Sequence, residues 1–200
     1  MKGTCTDLEK PYFRLGADPN PAKVRPEHIL KKSLKMLKNK WSKNEAPYRY
    51  MEEQFKSIRQ DMTVQRIHSN FIVDVYETHA RVAVEASDID QFNQCQTALV
   101  PLYESGLKGC AVEFKAYRIL YAAFTSMYHD DMNLLAGLSS EEQEDDLVRF
   151  AVNLRKAYIN DDYLSFFKLY RSAPAMMPHI TDCFLDMIRL KFLKVITLAL

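Results

Sequence analysis

The side chains that could do chemistry in this sequence are mainly four cysteines and five histidines. The cysteines form no CxxC pair and match no disulfide framework or zinc-site spacing, so we expect most of them to be buried thiols in a reducing compartment. The histidines show no HExxH spacing. His79 lies on an apolar stripe, which favours a core histidine with satisfied hydrogen bonds over a ligand or general base. The cysteines are Cys5, Cys95, Cys110 and Cys183.

Motifs for nucleophilic catalysis or phosphate binding are not recognisable either. The chain has only 5 glycines in 200 residues, and they are too scattered to build a phosphate-binding loop. Glu77 and His79 are two positions apart, so on a helix they point to different faces. We therefore predict that the chain is not an enzyme and that it uses no cofactor, metal or small-molecule substrate.

Six basic side chains are the candidate contacts for a partner or for nucleic acid. Three form a stripe on the first predicted helix and three share roughly one face of the second, so together they could track a phosphate backbone. Aromatic residues are not interleaved with them along the sequence, so base stacking is not predicted. For Arg59, the favoured alternative is structural use with Asp61 in tying neighbouring helices together. The candidates are Lys31, Lys35, Lys38, Lys56, Arg59 and Arg66.

Charge is distributed unevenly along the chain. Residues 1–66 contain 15 Lys and Arg against 8 Asp and Glu, whereas residues 67–200 contain 12 against 18. This asymmetry indicates a basic face that could meet nucleic acid or an acidic protein. On charge alone, a solvated helix surface is the favoured alternative.

Apolar residues recur at every third or fourth position from Pro26 onward, which predicts an all-helical chain. The first stripe consists of Leu30, Leu34, Leu37 and Trp41. Residues 1–25 contain several prolines that forbid a long helix, but they also contain apolar side chains. We therefore predict an irregular N-terminal arm over residues 1–25 that packs on a helical domain over residues 26–200.

Turn-forming residues set the expected helix boundaries. Pro47 opens the second helix, and Ser139 with Glu142 fits a capping box that starts a helix running to Tyr158. A phosphorylation site at Ser139 is the less favoured alternative. The other predicted helices cover about residues 70–86, 88–106, 111–128 and 163–171, with a short turn or helix around residues 132–138 and a last helix from about His179.

A faint internal repeat links two of the predicted breaks. The sequence from Ala83 to Asp88 resembles that from Lys156 to Asp161, at an offset of about 73 residues, with a further break roughly midway. Units of about 37 residues are typical of helix-turn-helix repeats, which stack because one unit cannot bury its apolar side alone. The predicted fold is therefore an all-α, TPR-like helical-repeat solenoid.

Several motifs, taken in order, resemble the family of the germinal-centre-associated nuclear protein (GANP), and most closely its leukocyte-receptor-cluster-member branch. The similarity is strong over residues 10–125 and continues weakly through Phe166–Tyr170. The run of motifs in order is specific, although any one alone would not be. The motifs are Lys10-Pro-Tyr-Phe-Arg-Leu15, Val24-Arg-Pro26, Lys56-Ser-Ile-Arg-Gln-Asp61, Thr63-Val-Gln65, Val75-Tyr-Glu-Thr-His-Ala-Arg81, Phe92-Asn-Gln-Cys-Gln96, Glu113-Phe114 and Tyr117-Arg118.

The resemblance implies a PCI-type module, in which helical repeats lead into a winged helix. It implies a non-enzymatic nuclear scaffold in transcription-coupled mRNA processing and export, with the cytoplasm as a further compartment. The implied partners are a second PCI protein and a small acidic subunit of the proteasome-lid type, and RNA is left open. Because the sequence stops at Leu200, about where that unit should begin, the expectation is that the winged helix is missing or truncated, in a fragment or a shortened member. Direct RNA or DNA binding by the basic N-terminal third is the alternative function.

Overall fold

The computed structural model describes residues 1–13 and 19–198, and this part of the chain is helical with no strand. Contacts between residues divide the chain into two compact units. Unit 1 comprises residues 1–86 and 90–109, and unit 2 comprises residues 87–89 and 110–200. The prediction of an all-α fold is confirmed.

The described residues of unit 1 form four long helices, and α2 packs against both α1 and α3. Its core is formed by the apolar stripes that the sequence predicts, with Leu30, Leu34 and Leu37 of α1 against Phe55 and Ile58 of α2. Each such side chain contributes ~1.5–3 kcal/mol of transfer free energy when it is fully buried. The helices are α1 (Glu27–Ser42), α2 (Tyr48–Gln65), α3 (Asn70–Glu85) and α4 (Ile89–Glu104).

Trp41 is less buried than its place on the first stripe predicts. Its indole is partly exposed, meets the edge of the Tyr48 ring at 6.4 Å, and donates from Nε1 to Glu85 at 2.7 Å. The position lies in the last turn of α1, where the stripe runs off the core. Trp41 therefore closes the edge of unit 1 and does not fill its centre.

Up to residue 198, where the described part of the chain ends, unit 2 contains seven helices, of which α5 and α8 share the most extensive contact. Helices α6 and α10 pack on α5, and α7 and α9 pack on α8. The helices are α5 (Ala111–Phe124), α6 (Tyr128–Ala136), α7 (Ser140–Glu144), α8 (Asp146–Ile159), α9 (Tyr163–Tyr170), α10 (Met177–Asp182) and α11 (Leu185–Leu198).

The core of unit 2 is rich in aromatic rings. Phe124 of α5 lies 5.1 Å from Tyr158 and 6.3 Å from Phe166, and Phe166 lies 5.3 Å from Phe192, measured between ring centroids. These three contacts are edge-to-face, the arrangement that aromatic quadrupoles favour. Four helices thus meet around one aromatic cluster.

Turns between the first six helices follow a regular pattern. A residue with a positive φ angle ends or follows each helix from α1 to α5, and these residues lie 19 to 22 positions apart. One helix and its turn thus take about 20 residues, so a helix pair takes about 40, close to the repeat length read from the sequence. The residues are Asn44, Arg66, Ser87, Gly106 and Ser126.

Three predicted boundaries in unit 2 are wrong. Helix α5 ends at Phe124 and does not run to Tyr128, because Ser126 turns into the left-handed region with φ +58° and α6 begins at Tyr128. The predicted helix from Ser139 to Tyr158 is two helices, since the backbone of Asp145 is extended. The predicted last helix from His179 is likewise two, α10 and α11.

The capping box at the start of α7 is confirmed. The hydroxyl of Ser139 accepts from the Glu142 backbone at 3.2 Å, and the Glu142 carboxylate accepts from the Ser139 backbone at 2.9 Å. Asp145 then ends α7 and caps α8, where its carboxylate accepts from the backbone N–H groups of Leu147 and Val148. These side chains satisfy helix donors that would otherwise lack partners.

The described part of the first 25 residues is hydrogen-bonded to α2. The backbone N–H of Gly3 donates to Gln65 at 2.9 Å, and that of Lys10 donates to Gln54 at 3.0 Å. By contacts these residues belong to unit 1. The division into an arm over residues 1–25 and one domain over residues 26–200 stays a prediction.

In the described ranges, no helix combines the length and apolar character that crossing a membrane requires.

Candidate functional site

The cysteines and histidines that could do chemistry are dispersed. No three His, Cys, Asp or Glu side chains among residues 1–13, 19–127 and 131–198 lie close enough together to hold a metal ion. None of the four cysteines forms a disulfide, and only Cys95 is buried. The expectation that most of the thiols are buried is therefore wrong, because Cys110 is exposed in a turn and Cys5 and Cys183 are partly exposed.

His79 lies in the core of unit 1, as predicted, but its hydrogen bonds are not satisfied. The imidazole stacks on Phe55 with ring centroids 4.6 Å apart, and no described residue bonds to either ring nitrogen. Burial holds the pKa of His79 well below its usual value, and the charges of Arg59 and Lys56 lower it further. The side chain is thus held as a neutral ring in the folded protein.

The structure separates the six candidate cations instead of collecting them. Three line a groove of about 650 Å³ between α1 and α3, and two line a different groove of about 520 Å³ whose described walls come from α2, α3, α4 and the N-terminal segment. The sixth, Arg66, lies in the left-handed turn after α2, outside the described lining of both grooves. We call these the α1–α3 groove and the α2–α4 groove.

Cations in the α1–α3 groove are largely neutralised by acidic neighbours. Lys31 pairs with Glu27 at 2.8 Å, and Lys38 pairs with Asp74 at 2.7 Å. Lys35 is exposed and forms no ion pair with a described residue. The groove therefore carries a net charge of only about one unit, weaker than the lysine stripe suggests.

The α2–α4 groove carries cations, aromatic rings and amides without a carboxylate in its described lining. Lys56 pairs with Glu52, which lies outside the described lining of the groove. Arg59 forms no ion pair with a described residue. The lining residues are Tyr12, Lys56, Arg59, Gln60, Thr63, Val64, Tyr76, Gln94 and Ala98.

Arg59 is held in this groove by contacts that, among the described residues, include no acidic side chain. Its guanidinium lies over the Tyr76 ring, 5.4 Å from the centroid, and donates to the Cys95 sulfur at 3.2 Å. Burial raises the pKa of the Tyr76 phenol, although the Arg59 charge opposes this. A guanidinium stacked on a ring is oriented for a bidentate anion contact.

Two sequence-based interpretations concern Arg59 and its surroundings. Arg59 and Asp61 both lie on α2 but contact different elements, since Arg59 reaches Tyr76 of α3 and Cys95 of α4, whereas Asp61 pairs with Arg25 and Lys10. Aromatic rings, which the sequence does not interleave with the cations, are interleaved by the fold, since Tyr12 and Tyr76 share the groove with Lys56 and Arg59. Linear spacing could not show this, because the two rings come from the N-terminal segment and from α3.

A buried ion pair that sequence reasoning missed fixes the N-terminal segment to α2. Arg25 is fully buried and Asp61 is 1% exposed, and the Arg25 Nε donates to the Asp61 carboxylate at 2.7 Å. Arg25 also donates to the Ser57 hydroxyl at 2.8 Å, while Lys10 reaches the other Asp61 oxygen at 2.6 Å. Both charges are hydrogen-bonded, as buried charges must be. The motifs Val24-Arg-Pro26 and Lys56–Asp61 contain both residues, but nothing in their spacing joins them.

Helix α11 presents a large exposed apolar face. Met187, Leu190 and Leu193, spaced by three residues, are 42%, 60% and 58% exposed. The opposite side of the helix is buried through Ile188 and Phe192. Apolar side chains grouped in this way on a surface are typical of a contact for another protein segment.

Comparison with known proteins identifies the family of the chain. A model of the SAC3/GANP family matches residues 10–200, which is nearly the whole chain. The chain belongs to the SAC3/GANP family. This confirms the resemblance read from the motifs, including its leukocyte-receptor-cluster branch, because a relative of that name is among the matches.

Relatives from distant eukaryotes are similar over almost the full chain. A THP3 homolog of Schizosaccharomyces pombe is 47% identical over 184 residues, 92% of this chain and 46% of that protein. A leukocyte receptor cluster member 8 homolog of Xenopus laevis is 47% identical over 96% of this chain and 24% of its own length. Protein THP3 of Saccharomyces cerevisiae is 38% identical over 97% of this chain and 43% of its own. The chain thus spans less than half the length of each of these relatives.

Proposed function

We propose that this SAC3/GANP-family chain is a non-enzymatic scaffold in a nuclear complex for transcription-coupled mRNA processing and export. The observation that carries the proposal is the family match over residues 10–200, supported by THP3-named relatives that cover nearly the whole chain. The all-helical repeat architecture suits this role, since stacked helices leave extended outer surfaces for partners.

The proposed fold is a PCI-type helical repeat. The proposed partners are a second PCI-domain protein and a small acidic subunit of the proteasome-lid type. The exposed face of α11 offers apolar area for a protein contact. The exposed side of α1 carries Lys31, Lys35 and Lys38, and Lys35, which pairs with no described acidic residue, offers its charge to an acidic subunit.

Affinity purification tests the proposal on the full-length gene product. The tagged protein is isolated from nuclear extract after nuclease treatment, and the bound proteins are identified by mass spectrometry against an untagged control. We expect a PCI-domain protein and a small acidic subunit to be enriched together. Recovery of neither from repeated purifications of soluble, folded protein contradicts the scaffold function.

A further inference from the structure

The α2–α4 groove has the chemical composition of a binding site for single strands of nucleic acid. Tyr12 leaves 42% of its side chain exposed, and Arg59 lies on the Tyr76 ring. Flat rings or guanidinium planes beside cations are the elements with which proteins hold unpaired bases and their phosphates. The groove volume of about 520 Å³ falls within the range of small-ligand sites.

We propose that this groove binds a single strand of nucleic acid, with a phosphate between Lys56 and Arg59 and a base on the Tyr12 ring. Lys56 and Arg59 are three residues apart on α2, which places their Cβ atoms about 5–6 Å apart on one helix face. The amides of Gln60 and Gln94 and the hydroxyl of Thr63 line the same groove and can meet base edges or sugar hydroxyls.

Charge favours this groove over the α1–α3 groove as the anion site. Glu27 and Asp74 line the α1–α3 groove and pair with two of its three lysines. The described lining of the α2–α4 groove contains no carboxylate, and its Arg59 has no acidic partner among the described residues. Each groove contains one cation without an acidic partner among the described residues, Lys35 in the α1–α3 groove and Arg59 in the α2–α4 groove, while Lys56 pairs with Glu52 outside the described lining. The difference is that Glu27 and Asp74 would repel a phosphate in the α1–α3 groove, whereas no carboxylate of the described lining would do so in the α2–α4 groove.

The mixture of rings and cations favours a nucleic acid over an acidic peptide. A peptide of Asp and Glu residues would use the cations but would leave the Tyr12 face without a stacking partner. A nucleotide uses both, since each base offers a flat face and each linkage offers a charge. The site goes beyond the scaffold function, but the RNA setting of that function makes RNA the expected strand.

Fluorescence anisotropy of the full-length protein with labelled oligonucleotides of about 12 residues tests the assignment. The probes are oligouridylate, oligothymidylate and an RNA duplex, and a poly-glutamate peptide of similar length serves as competitor. We expect both single strands to bind more tightly than the duplex, and the oligouridylate at least as tightly as the oligothymidylate. The peptide should compete weakly.

Matched substitutions locate the site. Tyr12→Ala should weaken binding of oligouridylate by about five- to tenfold, whereas Phe13→Ala, which removes a neighbouring exposed ring outside the lining, should leave it within about twofold. Lys56→Gln should make the dependence of log affinity on log salt shallower by about 0.7, whereas Lys35→Gln should not. Unchanged circular dichroism shows that each variant is folded.

Three results would overturn the proposal. The first is an equal change in the salt dependence of binding for Lys35→Gln and Lys56→Gln, and the second is no loss of oligouridylate affinity for Tyr12→Ala. The third is competition by poly-glutamate as strong as that by unlabelled RNA. The last would assign the groove to an acidic protein. Since partner recovery is measured after nuclease treatment, a failure here leaves the scaffold function standing, and a failure of partner recovery leaves this assignment standing.

Discussion

The carboxylate of Asp61 joins two cations that are distant from it in sequence. It accepts from Arg25 and Lys10, which lie 36 and 51 positions earlier in the chain. Residues separated in this way show no periodic pattern, so no local reading of the sequence could pair them. The sequence analysis gave Asp61 a role in tying neighbouring helices together but named neither Arg25 nor Lys10 as its partner.

Removing one partner of this buried pair should destabilise unit 1 strongly. Asp61→Ala leaves the Arg25 charge buried without a counter-ion, and we expect a loss of ~3–5 kcal/mol in the free energy of unfolding. Urea titration followed by Trp41 fluorescence measures it, because this is the only tryptophan in the sequence and it lies in unit 1.

The exposed pair of Lys38 and Asp74 provides the matched control. Both side chains are close to half exposed, so Asp74→Ala should cost no more than ~1 kcal/mol. Equal costs for the two aspartate variants would show that burial of the Arg25–Asp61 pair has no energetic consequence.

Buried His79 should make unit 1 sensitive to acid. Its folded-state pKa is depressed below the unfolded value of ~6.5, so the unfolded chain takes up a proton first as the pH falls. The contribution of neutral His79 to the free energy of unfolding is complete above pH ~6.5. Below that pH it is lost by up to ~1.4 kcal/mol per pH unit until the folded-state pKa is reached.

Replacement of the imidazole tests this sensitivity. His79→Phe keeps a ring against Phe55 and should make the urea midpoint of unfolding depend less on pH between neutral pH and pH ~5. His28→Gln removes an exposed histidine of the same unit and should keep the wild-type dependence of the urea midpoint on pH. If both variants kept the wild-type dependence, His79 would not be its source.

At the scale of helices, periodicity predicted most elements but not their interruptions. The first four helices begin and end close to their predicted residues because apolar spacing, proline and polar breaks all act locally. The breaks at Ser126 and Asp145 occur without glycine or proline, inside sequences that continue a helical pattern. Each break is a change of backbone dihedral angles at a polar residue, left-handed at Ser126 and extended at Asp145, which the spacing of apolar residues does not encode.

Asp145 should be the stabilising residue at the junction of α7 and α8. Its carboxylate accepts from Leu147 at 2.9 Å and from Val148 at 3.3 Å, so Asp145→Ala should cost ~0.5–2 kcal/mol. Thermal unfolding followed by circular dichroism measures the loss. Glu144→Ala removes an exposed carboxylate next to it and should shift stability by no more than ~0.5 kcal/mol. A cost for Glu144→Ala as large as that for Asp145→Ala would contradict the cap.

For the molecule as a whole, the sequence predicted the helical class and the family, but not which side chains share a surface. The six cations appear as one basic region along the chain, yet the structure places them in two grooves and a turn. The rings of the α2–α4 groove come from segments 64 positions apart, so only the fold brings Tyr12 to Tyr76. The exposed apolar face of α11 likewise does not follow from the sequence, because the same leucines suit a core or a surface.

Quantitative recovery of partner proteins by tagged full-length variants tests the scaffold function most directly. The double variant Leu190→Glu with Leu193→Glu changes the α11 face, and Leu164→Glu places the same residue at an exposed leucine of α9. We predict that wild type and the Leu164 variant recover a PCI-domain protein with a small acidic subunit. The double variant should recover at least tenfold less of the partner that contacts α11, which corresponds to a loss of ~1.4 kcal/mol in binding free energy. Equal recovery by all three proteins would contradict the role given to α11, and recovery of no such partner by wild type would contradict the scaffold itself.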